Sequence, residues 1–148
     1  MSWNIDLKQD RKNFDEIVID FLIYDPNSFK VLIQKRSETR RLFPGSWDLT
    51  GGHLEAEEGI KECIKRELKE ETNMNLLKIT RLVHEFVWKN NSVKNYVFQI
   101  EAEGDFQGEV NKISEHKWIS KKNLREFEND KDMNAPIFET LKIFFEND

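Results

Sequence analysis

The sequence predicts a mixed α/β domain in which helices cover a β-sheet. Apolar, β-prone runs closed by turn signals stand on both sides of one amphipathic helix, and a second segment with helical spacing lies near the C-terminus. The length of 148 residues and the mass of 17.7 kDa suit one domain, residues 1–148. A chain of this length can bury a substantial core without disulfides.

The first half of the chain predicts a hairpin and a long loop. Residues Ile17 to Tyr24 form an apolar run that ends at the turn signal DPNS, and Lys30 to Gln34 is the predicted partner strand. The loop SETRRLFPGS follows. The segment WDLTGGH then leads into a helix.

The helix predicted between Gly51 and Met74 has one face that changes from apolar to acidic. Three apolar residues share this face at a period of 3.6: Ile60, Cys63 and Ile64. Toward the C-terminus the same face continues into three carboxylates: Glu67, Glu70 and Glu71. Carboxylates at this spacing repel one another by roughly a few tenths of a kcal/mol per pair. A positive partner is therefore expected, and Arg66 supplies only one charge.

The second half of the chain predicts three more strands and a closing helix. Ile79 to Trp88 and Asn95 to Glu101 are two longer strands joined by the polar turn KNNS, and His116 to Ile119 is another. Residues Ala135 to Phe145 carry apolar side chains at helical spacing. Two or three helices would thus flank and cover the sheet.

The acidic face suggests a site for a hard divalent cation. Mg²⁺ and Mn²⁺ prefer oxygen ligands and are usually held by one or two carboxylates together with water and substrate phosphates. Gly51 and Gly52 precede the helix, where bare backbone can approach an ion or a phosphate closely. The alternative is a solvated surface helix, which is favoured by the lysines on its outer face: Lys61, Lys65 and Lys69.

The spacing of these residues resembles the Nudix box, G-x5-E-x7-R-E-apolar-x-E-E-x-x-apolar. The matching positions are Gly52, Glu58, Arg66, Glu67, Leu68, Glu70, Glu71 and Met74. Asn73 stands in place of the box glycine, and asparagine still permits a left-handed helix exit. Glu57 stands where the family often has another glycine, and neither change removes a ligand. The resemblance covers about Lys35 to Met74 at motif level and implies a Nudix-type α/β/α sandwich with a mixed β-sheet.

The resemblance also implies roles for the box residues. Glu70 and Glu71 are expected to be the principal metal ligands, Glu67 a further ligand or the base that acts on water, and the Gly51 carbonyl an additional ligand. Arg66 is expected to orient Glu67 through a charge-assisted contact.

Glu58 has two interpretations. The resemblance implies that its side chain tethers the loop to the helix, together with the structural box residue Gly52. The alternative is an ordinary first-turn glutamate, stabilised by the helix dipole.

Residues outside the box are candidates for completing the site. Nudix enzymes often use another acidic residue from a later loop, for which Glu115 is the first candidate and Glu109 the competitor. Three arginines flank the approach to the glycines, and one of them could hold a phosphate: Arg36, Arg40 and Arg41. For all of these residues the alternative is an ordinary surface charge.

Two further residues are candidates for contact with a nucleobase. Asn134 lies just before the C-terminal helix, in a context similar to that of a base-reading asparagine in Nudix enzymes that cleave purine nucleoside triphosphates. Its alternative is the helix N-cap, since Ala135 and Pro136 follow. Trp88 could stack on a base, although aromatic strand residues commonly belong to the core.

Taken together, the resemblance implies a Mg²⁺-dependent (or Mn²⁺-dependent) Nudix pyrophosphohydrolase. Its expected substrate is a small molecule, a nucleoside diphosphate linked to another group, with an oxidised purine nucleoside triphosphate among the candidates. An isopentenyl-diphosphate-isomerase-like enzyme is one alternative, suggested by His53, but its acid would be a cysteine ahead of the box and the single Cys63 lies inside the helix. A non-catalytic Nudix nucleotide sensor is the other.

Composition narrows the choice of partners and compartment. The net charge of −5 and the pI near 5.4 argue against binding to a nucleic-acid polymer, which needs a basic surface. No apolar run approaches the roughly 18 residues that a membrane span requires, and the polar N-terminus shows no signal peptide. The single Cys63 cannot form an internal disulfide and is expected to pack in the core; together with the polar N-terminus this favours a cytoplasmic location. The sequence is compatible with a homodimer and leaves the oligomeric state open.

Overall fold

The computed structural model describes residues 3–146 of the chain. Its elements in order are α1 (Leu7–Asn13), β1 (Glu16–Asp25), β2 (Lys30–Arg36), β3 (Trp47–Asp48), β4 (Thr50–His53), α2 (Ile60–Thr72), β5 (Asn75–Trp88), β6 (Val93–Glu103), β7 (Ile113–Ile119), a 3-10 helix (Lys121–Phe127) and α3 (Ala135–Glu146). None of the helices within the described range is long and apolar enough to cross a membrane.

β1 lies at the centre of a mixed sheet and connects its two parts. It pairs in parallel with β6 over Glu16 to Ile23, and β6 pairs antiparallel with β5. On its other side β1 pairs with β4 over Val18 to Phe21, and with β2 only at its last residues. β2 in turn pairs with β3 and β7. Because β4 pairs with the middle of β1, the glycines of β4 lie directly beside that strand.

Two apolar clusters hold the helices against the sheet. Strand alternation places Ile19 and Phe21 of β1 in the first cluster, which contains Ile64 and Leu68 of α2. Leu22 points the other way, into a second cluster that contains Leu141 and Phe144 of α3. The helices therefore lie on opposite faces of the sheet, and the predicted mixed α/β layer structure is confirmed.

Several predicted element bounds differ from those in the structure. β5 begins at Asn75 rather than at Ile79. Three register shifts against β6 interrupt the alternation of its side chains, so the early part of the strand lacks the pattern that predicts one. β7 begins at Ile113 rather than at His116, since its first residues pair with the end of β2. Neither α1 nor the 3-10 helix was expected from the apolar pattern. The closing helix, predicted over Ala135 to Phe145, is confirmed as α3.

Candidate active site

The catalytic candidates lie on α2, whose C-terminal end is well defined. Its buried face carries Cys63, Ile64 and Leu68, and the acidic residues follow at the C-terminal end. Asn73 ends the helix at φ 63°, and its N–H donates to the Lys69 carbonyl. The left-handed exit expected for this asparagine is therefore confirmed.

Arg66 is the central residue of the acidic cluster. Its guanidinium donates two hydrogen bonds to the Glu58 carboxylate, at 2.7 and 2.8 Å, and Nη1 donates to Glu67 Oε1 at 2.7 Å. Nη1 also lies 3.5 Å from Glu70 Oε2, and Nη2 donates to the His53 carbonyl. These are the contacts of a residue that fixes the direction of its neighbour Glu67.

Glu58 ties the turn before α2 to the body of the helix. The hydrogen bonds from Arg66, before all other causes, lower the pKa of Glu58 to about 2. Its Oε1 also accepts the backbone N–H of Glu55, which closes the turn. The contacts are those of a tether rather than of a solvated first-turn glutamate.

The carboxylate of Glu67 rests against the backbone of Gly52. A Cβ added at Gly52 would lie 2.7 Å from Glu67 Oε2 and closer still to the rest of the carboxylate. A side chain at this position would therefore push the Glu67 carboxylate away from β4. Burial is the largest influence on Glu67 and raises its pKa, although Arg66 acts in the opposite direction.

Glu71 reaches the other glycine of β4. Its Oε2 accepts the backbone N–H of Gly51 at 2.9 Å. Its pKa is nevertheless raised well above the ordinary value, first by burial and then by the charges of Glu67, Asp48 and Asp20. Four carboxylates thus share a region of low solvent access.

Asp20 and Asp48 belong to this region and were not among the residues singled out from the sequence. Asp20 lies opposite Gly51 in the pairing of β1 with β4, and only 8% of it is exposed. Burial, followed by the charge of Asp48, raises the pKa of Asp20 to about 8. Arg36 lies 3.4 Å from Asp48 Oδ2, yet burial still raises the pKa of Asp48. A lone aspartate inside the apolar run IVIDFLIY was the signal in the sequence.

The donor chemistry of this cluster fits a hard divalent cation. The available ligand atoms are carboxylate and carbonyl oxygens, and burial, followed by the charges of neighbouring carboxylates, raises the pKa of Asp20, Glu67 and Glu71. Within residues 3–146, no group of three His, Cys, Asp or Glu side chains is placed to hold one ion as it stands. Glu70 accounts for part of this, since its carboxylate faces Arg66. Binding would require Glu70 to exchange that partner for the ion.

An open recess of about 510 Å³ lies over the acidic end of α2. Besides the box carboxylates, it is lined by Arg40, Glu109 and Lys112. Glu109 forms an ion pair with Lys112 at 2.7 Å. Glu115 is instead an exposed residue of β7, whose carboxylate lies 3.8 Å from Lys35 Nζ. The structure therefore favours Glu109 over Glu115 as the loop glutamate of the site.

Of the three arginines proposed for phosphate binding, Arg40 is the one that lines the recess. Arg36 donates to the Leu42 carbonyl at 2.8 Å and pairs with Asp48, so its charge is committed to the loop and to the buried carboxylates. Arg41 is exposed. Phosphate contacts by Arg36 and Arg41 stay predictions.

The two base-contact candidates are both engaged in contacts within the chain. Trp88 donates from Nε1 to Asn95 Oδ1, and Asn95 Nδ2 donates to Asp20 Oδ2, each at 2.7 Å. Trp88 is therefore linked to the carboxylate cluster through one amide. Asn134 Oδ1 accepts the backbone N–H of Ile137 at 3.0 Å, which is an N-cap contact for α3. Base contacts by either residue stay predictions.

Cys63 does not have the position that the isomerase alternative needs for its acid, whereas His53 lines the recess. The His53 side chain is 64% exposed, and its ring lies 3.7 Å from Glu16. Cys63 is fully buried in the core, as expected, and burial raises the pKa of its thiol. A thiol in this position cannot deliver a proton to a substrate in the recess.

Comparisons with known proteins agree with this geometry. The model of the NUDIX domain matches residues 16–141. The nucleoside triphosphatase NudI of Escherichia coli, like that of Shigella flexneri, is 41% identical over 51 residues, which cover 34% of this chain. The match spans only 36% of the length of these curated relatives.

Solved structures share the arrangement of sheet and helices over most of the chain. The MutT protein from Methanosarcina mazei Go1 is 25% identical, with a TM-score of 0.72 over 89% of this chain and 94% of that chain. A NUDIX hydrolase from Nitrosomonas europaea is 20% identical, with a TM-score of 0.73 over 90% of this chain and 72% of that chain. This second similarity is evidence for the fold only. The expected α/β/α sandwich with a mixed sheet is confirmed by these similarities.

Proposed function

The chain belongs to the Nudix hydrolase family, and on that premise we propose that it is a divalent-metal-dependent pyrophosphohydrolase of nucleoside triphosphates and related nucleoside diphosphate derivatives. The observation that carries the proposal is the cluster of carboxylates gathered around Arg66 and the two glycines of β4. NudI, with which the chain shares part of its sequence, is a nucleoside triphosphatase. This likeness supports a triphosphate as the first substrate to test.

The proposed ion is Mg²⁺ or Mn²⁺, held by Glu67, Glu70 and Glu71 with the Gly51 carbonyl as an additional ligand. When bound, such an ion neutralises charge on the diphosphate and lowers the pKa of a water molecule that attacks phosphorus. Glu109 is a candidate for a further ligand, because it lines the same recess. The hydrogen bond between Glu71 and the Gly51 N–H supports this arrangement by holding helix and strand together.

The chain's own residues supply the remaining functions. Glu67, directed by Arg66 and only 14% exposed, is proposed to accept the proton of the attacking water. Arg40 and Lys112 place positive charge at the recess, where they can attract phosphate groups in spite of the net charge of the chain.

The test is a panel of nucleoside triphosphates, nucleotide sugars and dinucleotides, assayed for phosphate and diphosphate release with Mg²⁺ and with Mn²⁺. We expect metal-dependent hydrolysis with preference for a triphosphate. Glu70→Gln should lower kcat by orders of magnitude and leave the circular dichroism spectrum unchanged, since the side chain is 58% exposed and supports no core contact.

Glu62→Gln is the matched control, because it removes a carboxylate from the first turn of the same helix outside the recess. It should retain full activity. Unchanged metal-dependent hydrolysis by Glu70→Gln would overturn the metal site. Nucleotide binding that needs no metal and forms no product would indicate a sensor instead of an enzyme.

A further inference from the structure

The N-terminal segment before β1 lies outside residues 16–141, the part of the chain that matches the family model. It is nevertheless packed against the domain. The Trp3 ring meets Phe98 edge-on with centroids 5.0 Å apart, and Ile5 and Leu7 pack against the first apolar cluster. Tyr96 of β6 donates its O–H to the Asp10 carboxylate. Helix α1 is thus fixed to the sheet through the segment before it and through Leu7 and Asp10.

Arg11 of α1 reaches from this anchored helix to the turn in front of α2. Its Nη2 donates to the Glu55 carbonyl at 3.1 Å and to the Glu58 carbonyl at 2.8 Å. The same two residues close the turn, since the Glu58 N–H donates to the Glu55 carbonyl at 3.1 Å. One guanidinium therefore bridges the start and the end of the turn.

This turn contains an unfavourable backbone conformation. Glu57 has a φ of 66°, in the left-handed region where residues other than glycine are disfavoured. The position is the one at which Nudix proteins often have a glycine. A glutamate there needs surrounding contacts to hold the backbone, and Arg11 makes contacts on both sides of it.

The turn is directly connected to the acidic cluster. Glu58 holds Arg66 by two short hydrogen bonds, and Arg66 holds Glu67 by another. A change in the backbone of the turn would shift Glu58, and with it the direction of both side chains. The line of contacts from α1 to the proposed base is therefore Arg11, the turn, Arg66 and Glu67.

We propose that Arg11 is a positioning residue: with α1 it clamps the turn at residues 55–58 in the conformation that Glu57 disfavours, and so fixes Arg66 and Glu67 for metal binding. The role in metal binding rests on the function proposed above. The clamp itself is a property of the folded chain and can be measured without metal or substrate.

The experiment compares four forms of the full chain: unmodified, Arg11→Ala, Lys12→Ala and the double variant Arg11→Ala with Glu57→Gly. Lys12→Ala is the matched control, because it removes one exposed positive charge from the same helix. Amide hydrogen exchange of residues 55–58 is measured without metal. The Mn²⁺ dissociation constant follows from electron paramagnetic resonance, and kcat and KM are measured with a nucleoside triphosphate.

For Arg11→Ala we expect about tenfold faster exchange in the turn, about threefold to tenfold weaker Mn²⁺ binding, and a lower kcat with little change in KM. Lys12→Ala should match the unmodified chain. The double variant should regain most of the Mn²⁺ affinity, because glycine adopts the left-handed conformation without a clamp. Arg11→Lys, whose ammonium can also donate to two carbonyls from one nitrogen as Nη2 does, should recover part of the loss.

Two results would overturn the clamp. One is an Arg11→Ala variant that equals Lys12→Ala in exchange and in Mn²⁺ affinity. The other is a double variant that is as impaired as Arg11→Ala alone. If the unmodified chain binds Mn²⁺ with the expected dependence on Arg11 but hydrolyses no nucleotide, the proposed substrate class fails and the clamp stands.

Discussion

Replacement of Gly52 by alanine tests whether the position of the Glu67 carboxylate limits turnover. The added Cβ would lie 2.7 Å from Oε2, whereas ordinary contact begins at 3.4 Å, so the carboxylate must move by about 0.7 Å or more. A displacement near 1 Å in a catalytic group commonly costs about 100-fold in rate. We expect kcat to fall by about 10- to 100-fold. Because the displaced atoms are the end of a flexible side chain, the fold should persist.

The assay is kcat for nucleoside triphosphate hydrolysis at saturating Mg²⁺, with thermal unfolding as the check on the fold. Gly59→Ala is the control: its Cβ would also meet a carboxylate, that of Glu62, which is exposed and outside the recess. The control should keep its activity, although it can lose some stability at the start of α2. A Gly52→Ala enzyme with kcat within about threefold of the unmodified chain would refute the assignment of Glu67.

Three further predictions concern stability, substrate specificity and metal binding. The pKa of Asp20 is raised to about 8, so its contribution to stability is full below its ordinary pKa of 3.8 and is lost as the pH rises through 8. In EDTA, the stability of Asp20→Asn relative to the unmodified chain should therefore increase between pH 5 and 9. Unfolding midpoints of the two proteins that change in parallel with pH would contradict this. Asn134→Ala should lower the free energy of unfolding by about 1 kcal/mol through loss of the α3 cap, measured by urea denaturation, and a base contact would show as a KM increase for purine triphosphates alone. Glu109→Gln should weaken Mn²⁺ binding, measured by calorimetry, while Glu115→Gln leaves it unchanged; the reverse order would restore Glu115 as the loop ligand.

Features of the fold that depend on residues close together in the sequence could be predicted from it. The apolar run of β1, the helical face of α2 and the closing helix α3 are each marked by a hydrophobic pattern within about a dozen residues. Helix α1 does not, because its sequence LKQDRKN is polar and its anchors, Trp3 and Ile5, lie before it. The early start of β5 was hidden for a different reason, since register shifts break the alternation that marks a strand.

The residues of the candidate site likewise divide into those that a local sequence pattern predicts and those that only the pairing of distant strands brings in. The box residues follow one another on a helix, so their spacing alone places them on one face. Asp20 enters the site only because β1 pairs with β4 and sets it opposite Gly51, a relation that no local pattern contains. The preference for Glu109 over Glu115 likewise follows from where β7 begins, because Glu115 pairs with Lys35 inside the sheet.

The contacts of Arg66 explain how the acidic cluster can persist and still offer a carboxylate to the proposed cation. Glu58 and Glu67 are each held at 2.7 Å, whereas Glu70 lies at 3.5 Å and is the most exposed of the three. Since the pKa of Glu58 is about 2, that carboxylate stays ionised and paired with Arg66 throughout the physiological range of pH. Arg66 therefore keeps its direction when Glu70 leaves it. In the proposed function, Glu70 is the ligand that would exchange between the guanidinium and a metal ion, while Glu67, held on Arg66 and against Gly52, keeps the position proposed for the base.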